Sequence, residues 1–218
     1  MTILFDLDGT LIDSTEAILE SFHYAFAKHE APHAKDETIV SLIGHPLDYM
    51  FANMGVEEAR VWDFVASYKE HYREIAVQKT VLLQSAREAV LHAKEFATLG
   101  IVTTKTGLYS RELMEHFGLM EHFKVLIGRE DVTNPKPHPE PIQKALEKLG
   151  GANGDVWMIG DTEMDLVCAQ EAGVRGIGVT SGYGSFETLK KYTDVIFGDA
   201  YEAVLFLKGG KYHTNNLS

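Results

Sequence analysis

The chain is poor in cysteine and in basic residues, and it contains no long hydrophobic run. Its one cysteine, Cys168, has no partner for an internal disulfide, so the sequence fits a reducing compartment and predicts a cytoplasmic protein. No segment approaches the roughly 18–20 unbroken apolar residues that a membrane span needs. The first residues also lack the basic region and the cleavage site that are typical of a secretory signal.

Positive charge is in short supply, with 20 lysines and arginines against 32 aspartates and glutamates and a net charge of -12. So acidic a surface repels nucleic acid backbones and anionic lipids, which argues against nucleic acid or a membrane as a partner. A small phosphorylated substrate would be repelled as well. Any site for such a substrate therefore has to be locally positive.

Six short apolar runs stand out, and each of them ends in polar residues or glycine. They cover residues 3–7, 99–102, 125–127, 156–159, 176–179 and 195–197. Because the runs are continuous rather than alternating, they predict strands covered on both faces, as in a parallel sheet. Helical patterns lie between the later runs, over residues 109–117, 139–149 and 163–172. This alternation predicts an α/β fold with a Rossmann-like, doubly wound parallel sheet.

Residues 14–83 interrupt this alternation with helical periodicity and no convincing strand. Helices are predicted from Ser14 onward and over residues 37–43, 47–54 and 57–75. An all-helical insertion after the first strand predicts a cap domain over the carboxyl edge of the sheet. The catalytic core would then comprise residues 1–13 and 84–218, with a polar, frayed tail from about residue 209.

Polar residues follow the predicted strands, at the sheet edge where ligands bind in folds of this class. They are Asp6, Asp8 and Gly9 after the first run, Thr103, Thr104 and Lys105 after the second, Lys136 in the loop after the third, and Asp161 and Asp165 after the fourth. Four carboxylates at one edge repel one another unless a cation compensates them. Mg2+ prefers oxygen ligands and supplies the positive field that an anionic substrate needs.

Four motifs occur in a fixed order along the chain. They are Asp6-Leu7-Asp8-Gly9-Thr10, Thr103 after an apolar strand, Lys136, and Gly160-Asp161-x-x-x-Asp165. In this order they resemble the motifs of the haloacid dehalogenase-like phosphatase superfamily, and the resemblance extends over essentially the whole chain. The helical insertion falls where the smaller type of cap in that family belongs. The segments at 5–14, 102–105 and 136–139 resemble the branch that contains phosphoglycolate phosphatases and pyrophosphatases.

The resemblance implies a chemical role for each of these motifs. Asp6 would be the nucleophile that forms an aspartyl-phosphate. Asp8 would be the general acid that protonates the leaving alkoxide and then the base that activates water. Thr103 would bind a phosphate oxygen, and Lys136 would neutralise charge on Asp6 and on the transferred group.

The resemblance also implies a set of Mg2+ ligands. They are Asp6, the backbone carbonyl of Asp8, and Asp161, with Asp165 either a direct ligand or one layer further out. Taken singly, the motif residues have structural alternatives, since Asp8 and Gly9 could form a turn and Asp161 could cap the following helix. Independent turns and caps, however, have no reason to place acids and a lysine at successive strand ends.

Further residues are candidates for contacts with the substrate. Gly9 would let the backbone approach a phosphate oxygen. Thr104 stands where members of this branch often carry asparagine, and Lys105 could contact the substrate or be solvated. His45, in the sequence Gly44-His45-Pro46, could face the substrate or simply belong to a helix–helix turn.

The sequence thus predicts a Mg2+-dependent phosphomonoesterase that acts on a small phosphorylated metabolite, with phosphoglycolate as the leading candidate. The alternatives are a sugar phosphomutase resembling β-phosphoglucomutase, a pyrophosphatase, and a phosphate-binding regulatory protein without activity. The oligomeric state, monomer or homodimer, is left open by the sequence.

Overall fold

A computed structural model describes residues 1–152 and 154–209 of the chain, and its framework is a six-stranded parallel sheet beside a two-stranded antiparallel ribbon. The strands are β1 Thr2–Phe5, β2 Ile12–Asp13, β3 Val81–Leu82, β4 Thr98–Val102, β5 Phe123–Ile127, β6 Val156–Gly160, β7 Arg175–Val179 and β8 Ile196–Phe197. The ribbon pairs β2 with β3, and the remaining six strands form the sheet.

Helices follow most of the sheet strands, and four of them lie between β2 and β3. The α-helices are α1 Thr15–Lys28, α2 Asp36–Ser41, α3 Leu47–Asn53, α4 Val61–Lys79, α5 Ala86–Ala93, α6 Gly107–His116, α7 Glu140–Lys148, α8 Glu163–Glu171, α9 Phe186–Leu189 and α10 Ala200–Lys208. Single turns of 3-10 helix occur at Glu58–Arg60, Met120–His122 and Arg129–Asp131. None of the described helices combines the length and the apolar character needed to cross a membrane.

The strand order in the sheet is β5-β4-β1-β6-β7-β8, which places β1 between β4 and β6. The chain runs from β1 outward to β4 and β5, and then returns to the other side of β1 for β6, β7 and β8. Such a reversal opens a crevice beyond the carboxyl ends of the central strands. The predicted doubly wound α/β fold is therefore confirmed, and the crevice lies at the ends of β1, β4 and β6.

The central strands are buried on both faces, as their continuous apolar runs predict. All four residues of β1 and all five of β6 are buried. The first apolar run is longer than its strand, because Leu7 is fully buried in a turn after β1. Its carbonyl oxygen accepts hydrogen bonds from the backbone N–H groups of Thr10, Leu11 and Ile12. Apolar character at this position thus reflects burial of the turn rather than strand structure.

The segment between β2 and β3 is helical, with α1 and α4 packed side by side. A cluster of buried aromatic rings fills their interface, namely Phe22, Phe26, Phe51, Phe64 and Tyr68. The prediction of no strand within residues 14–83 is wrong in one detail, because Val81–Leu82 forms β3. This strand pairs with Ile12–Asp13, a partner almost 70 residues away that local periodicity does not reveal.

Other differences concern the ends and the later part of the chain. Helices α5 and α10, which were not predicted, pack against each other. Gly118 and Gly173 lie just beyond α6 and α8 with φ of 65° and 70°, the left-handed conformation that glycine adopts at a helix end. The predicted frayed tail falls almost entirely outside the described residues.

Candidate active site

Three carboxylates meet at the crevice beyond the carboxyl ends of β1 and β6. Asp6 directly follows β1, Asp161 directly follows β6, and Asp165 lies in the first turn of α8. One oxygen from each carboxylate lies within 4.8 Å of the other two, and all three residues are buried. The sheet topology therefore brings together acids that are about 155 residues apart in the sequence.

One buried lysine compensates part of this negative charge. Lys136 Nζ lies 2.9 Å from Asp6 Oδ1 and 2.5 Å from Asp165 Oδ1. It also donates a hydrogen bond to the carbonyl oxygen of Val102, at 3.1 Å. Burial alone would lower the pKa of Lys136, but the carboxylates of Asp165 and Asp6 outweigh it and hold that pKa well above its usual value. Lys136 is therefore a charged ammonium that bridges two of the three clustered acids.

The cluster still carries an excess of negative charge. Burial, opposed by Lys136 and assisted by Asp165 and Asp8, raises the pKa of Asp6 to about 6. Burial, together with Asp165 and Asp6, raises the pKa of Asp161 well above its usual value. A set of buried oxygen ligands with surplus negative charge is what a hard divalent cation requires, so the residues fit Mg2+.

The carboxylate of Asp161 is held in place by groups from two other loops. Its Oδ1 accepts a hydrogen bond from Thr10 Oγ1 at 3.0 Å, and its Oδ2 accepts one from the backbone N–H of Tyr183 at 2.8 Å. A Cβ at Gly9 or at Gly182 would lie only 2.2 Å or 2.1 Å from Asp161 Oδ2. Gly9 was predicted to make room for a phosphate oxygen, but the group against which its backbone packs is the carboxylate of Asp161.

Asp165 has both carboxylate oxygens engaged within the protein. Oδ1 pairs with Lys136, while Oδ2 accepts hydrogen bonds from the backbone N–H and the hydroxyl of Thr162, at 3.0 Å and 2.7 Å. The second pair of contacts caps the N-terminus of α8. The sequence left open whether Asp165 is a direct Mg2+ ligand or lies one layer further out. This geometry favours the second alternative, in which Asp165 orients Lys136.

Asp8 lies apart from the three clustered carboxylates, on the side that faces the helical segment. Its Oδ2 pairs with Lys105 Nζ at 3.0 Å, and its Oδ1 accepts a hydrogen bond from Ser14 Oγ. Lys105 is far from solvated, because only 8% of its side chain is exposed. Of the two alternatives for Lys105, the solvated one is therefore wrong.

The two threonines after β4 have different surroundings. Thr103 is buried, and its Oγ1 accepts a hydrogen bond from the backbone N–H of Lys105 at 3.2 Å, which leaves the hydroxyl proton for another acceptor. Thr104 Oγ1 donates to the carbonyl oxygen of Gly44 at 2.7 Å. Thr104 thus connects the sheet edge to the loop before α3, rather than presenting a free hydroxyl.

A cavity of about 240 Å³ opens beside Asp8, between the sheet edge and helices α1, α3 and α4. His45 lines it and stacks on Tyr49, with the ring centroids 4.3 Å apart. Burial lowers the pKa of His45 despite the opposing charge of Glu163. Aromatic side chains of the helical segment form much of the remaining wall, namely Trp62, Tyr68 and Tyr72.

Sequence reasoning missed several residues of the site. The loop after β7 contributes Gly182 and Tyr183 to the setting of Asp161, and Ser181 Oγ donates to the carbonyl oxygen of Gly9 at 2.8 Å. A signal for this loop was present, because a glycine-rich polar stretch follows another buried strand end. Cys168, by contrast, is a buried packing residue as expected, and burial raises the pKa of its thiol to about 12.

Comparison with known proteins places this geometry in a family. The sequence profile described as "Haloacid dehalogenase-like hydrolase" matches residues 3–179. The chain is 36% identical over 176 residues to "Pyrophosphatase PpaX" of Halalkalibacterium halodurans, covering 80% of each chain. It is 32% identical over 209 residues to "Probable phosphatase IndB" of Dickeya dadantii, covering 93% of this chain and 91% of that one. A solved hydrolase of the same family from Streptococcus pneumoniae matches with a TM-score of 0.84 at 27% identity, covering 94% of this chain and 97% of that one.

The chain therefore belongs to the haloacid dehalogenase-like hydrolase family, as the four motifs indicate. It is an enzyme of the phosphatase class within that family.

Proposed function

We propose that the protein is a Mg2+-dependent phosphomonoesterase that works through an aspartyl-phosphate on Asp6. The observation that carries this proposal is the placement of the buried Lys136 ammonium 2.9 Å from the Asp6 carboxylate, beside two further acids. Phosphoryl transfer mainly requires positioning and charge stabilisation. The site meets this requirement, because it combines a nucleophilic carboxylate, a fixed positive charge and a cation site.

In the first half of the reaction, an oxygen of Asp6 attacks phosphorus while the bond from phosphorus to the ester oxygen breaks. Asp8 gives its proton to the leaving alkoxide, which departs as an alcohol. The Thr103 hydroxyl binds an oxygen of the phosphoryl group. The Lys136 ammonium, whose donors face Asp6, Asp165 and Val102, neutralises charge on Asp6 and on the transferred group. In the second half, Asp8 takes a proton from the attacking water, and inorganic phosphate leaves Asp6.

The ligands that we propose for Mg2+ are Asp6, Asp161 and the backbone carbonyl of Asp8. The bound ion would neutralise charge on the phosphoryl oxygens and on the clustered carboxylates. We propose that Asp165 acts one layer out, because its oxygens are already engaged by Lys136 and Thr162.

We further propose that residues 14–83 form a cap on a core made of residues 1–13 and 84–218. The hydrogen bond from Thr104 to Gly44 supports this arrangement, as does the cavity lined from both sides. In this proposal His45, Thr104 and Lys105 lie around the leaving group, with His45 in contact with it. Gly9 acts through the setting of Asp161. A cap of this kind excludes water from the reaction and selects the leaving group.

For the substrate, we propose phosphoglycolate as the first compound to test. Pyrophosphate is a second candidate, because relatives over most of the chain are named pyrophosphatases. The surplus negative charge of the chain, at -12, supports a small anion bound at a locally positive point rather than a polyanionic partner. We propose a cytoplasmic enzyme, monomeric or homodimeric, and light scattering after gel filtration would give its oligomeric state.

The test is a panel of phosphate compounds scored by release of inorganic phosphate, with Mg2+ and again with excess chelator. Phosphoglycolate, pyrophosphate and glucose 1-phosphate separate the phosphomonoesterase, the pyrophosphatase and the mutase. We expect phosphate release that needs Mg2+. Conversion of glucose 1-phosphate to glucose 6-phosphate without phosphate release would indicate the mutase. Tight binding without turnover across the panel would indicate a regulatory protein, and activity that persists in chelator would contradict the metal-dependent mechanism.

A further inference from the structure

Lys105 is a buried cation whose environment is unusual for a residue that contacts substrate. It follows β4 and reaches across to Asp8, which follows the neighbouring strand β1. Its backbone is fixed at both ends, because its N–H donates to Thr103 Oγ1 and its carbonyl oxygen accepts from the N–H of Arg129 at 3.0 Å. The side chain is therefore aimed at Asp8 from a rigid position.

The ammonium group of Lys105 has little capacity left for a substrate. An ammonium has three donors, and here Nζ faces Asp8 Oδ2 at 3.0 Å and Ser14 Oγ at 3.4 Å. It also lies 4.7 Å from the ring centroid of Tyr72, within the range of a cation–π contact. Tyr72 belongs to α4, so the cation is held between the sheet edge and the helical segment.

The surroundings of Lys105 also favour its ion pair with Asp8. Burial by itself would lower the pKa of Lys105, but the charge of Asp8 and the side chains of Tyr72 and Tyr68 outweigh burial and raise that pKa well above its usual value. A general acid and base such as Asp8 gains and loses a proton in every turnover. A partner whose ammonium group is fixed by its own backbone contacts, by Ser14 and by the ring of Tyr72 can hold that carboxyl in one orientation.

We propose that Lys105 is a positioning residue that orients the Asp8 carboxyl for proton transfer, and that Tyr72 of α4 in turn fixes Lys105. This inference rests on the proposed role of Asp8 as the acid, and it replaces the assignment of Lys105 as a substrate contact. In the step concerned, the proton moves from Asp8 to the ester oxygen. The bond between that oxygen and phosphorus breaks as the bond from Asp6 to phosphorus forms.

The test uses the different need of two leaving groups for a proton. An alkoxide has to be protonated as it leaves, whereas p-nitrophenolate is a stable anion and leaves without help. The measured quantity is kcat/KM with Mg2+ for ethyl phosphate and for p-nitrophenyl phosphate, because kcat/KM excludes the later hydrolysis of the phosphorylated Asp6.

For Lys105→Met, we expect kcat/KM to fall by at least about 30-fold with ethyl phosphate and by less than about threefold with p-nitrophenyl phosphate. Asp8→Asn should show the same selective loss, and the double variant should lose little beyond Asp8→Asn, because both changes remove one function. Lys124→Met is the control: Lys124 is an exposed lysine of β5 and is not among the described residues that line the cavity, so the ratio of the two kcat/KM values should not change.

An equal loss with both substrates, or no loss with ethyl phosphate, would overturn the proposal for Lys105 if Asp8→Asn remains selective. A non-selective effect of Asp8→Asn would instead remove the proposed general acid, and the positioning role would fall with it. If Lys105→Met does not fold, Tyr72→Leu and Tyr72→Phe decide. The leucine variant should lose activity selectively with ethyl phosphate and the phenylalanine variant should not, whereas equal ratios in the two would overturn the proposal.

Discussion

Two neighbouring pockets of the same crevice are built in opposite ways. Around Asp6, Asp161 and Asp165, the carboxylates are buried and hydrogen-bonded, and the backbone of glycines approaches them too closely for any side chain. The cavity beside Asp8 has a volume of about 240 Å³, is lined mainly by side chains of the helical segment, and has the 63% exposed Trp62 at its edge. In the first pocket, an added side-chain atom at Gly9 or Gly182 would collide with Asp161. In the second, side chains of the wall can be replaced without contact with the three clustered acids. In the proposed function, chemistry and substrate selection would therefore belong to different parts of the chain.

The largest effect is expected from Asp6→Asn, which removes the nucleophile from the rigid pocket with almost no change of shape. We expect kcat with p-nitrophenyl phosphate to fall by about 10⁴-fold or more, since losses of this order follow removal of a covalent nucleophile. Asp13→Asn is the control, because the Asp13 carboxylate accepts a hydrogen bond from the backbone N–H of Thr15 and is not one of the three clustered acids. Similar activity in the two variants would contradict the assignment of Asp6.

A comparison of the unsubstituted protein with Asp6→Asn also tests how much folding stability is lost when the buried Asp6 ionises. The pKa of Asp6 is raised from 3.8 to about 6 by burial, so the folded protein holds this proton more tightly than the unfolded chain. The stability of the unsubstituted protein relative to Asp6→Asn should therefore be highest below pH 4 and decline until the pH passes about 6. A shift of this size corresponds to a decline of about 3 kcal/mol.

The measurement is urea unfolding in chelator between about pH 4 and about pH 7. Asp13→Asn, measured in parallel, controls for the loss of one carboxylate, because the contact of Asp13 lies outside the cluster. Added Mg2+ should restore more stability to the unsubstituted protein than to Asp6→Asn, since binding to the folded state alone raises the unfolding free energy. A difference in stability that stays constant with pH would show that Asp6 is ionised at no cost.

A smaller effect is expected from Gly9→Ala, which tests the close approach at Asp161. Gly9 has φ of 81°, and its added methyl group would lie 2.2 Å from Asp161 Oδ2. Gly55→Ala is a matched control, because Gly55 has φ of 88° and nothing within 4 Å of the added Cβ. Both variants pay the backbone strain of about 1 kcal/mol, but only Gly9→Ala should lose kcat, by about 30- to 100-fold. Equal kcat values in the two would refute the steric argument.

The smallest effect is expected in the adaptable cavity. Trp62→Ala should raise KM by about two- to tenfold for the preferred substrate and leave kcat nearly unchanged, as for contacts made equally in the ground and transition states. Phe186→Ala is the control, because Phe186 is a large, exposed apolar residue of α9 that does not line the cavity. A drop in kcat with Trp62→Ala would mean that the cavity wall acts on the chemical step, and the contrast between the two pockets would be lost.

Much of the fold could be predicted because the signals are local. Strands buried on both faces need continuous apolar runs, and helices between them need an apolar stripe, so β1 and β6 appear directly in the sequence. The short strand β3 does not, because its two residues gain strand structure only by pairing with β2. Leu7 shows the converse, since an apolar residue buried in a turn extends a run beyond its strand.

The candidate site divides in the same way. The identities of Asp6, Asp8, Thr103, Lys136, Asp161 and Asp165 came from strand ends and motif order, because parallel strands deliver their carboxyl ends to one edge. The partners of these residues could not be predicted. Asp8 is contacted by Ser14 and Lys105, and Asp161 by the backbone of Tyr183. These partners lie in loops whose mutual distances depend on how the sheet and the helices pack.

The sequence by itself determined the sheet, the order of the motifs and the kinds of chemical group that face the crevice, because these depend on residue type and local period. The tertiary structure alone decided that three acids cluster, two of them paired with Lys136, while Asp8 pairs with Lys105. The physical reason is that charge compensation and close backbone approach act over a few ångströms in space, between residues that the chain separates by up to about 170 positions.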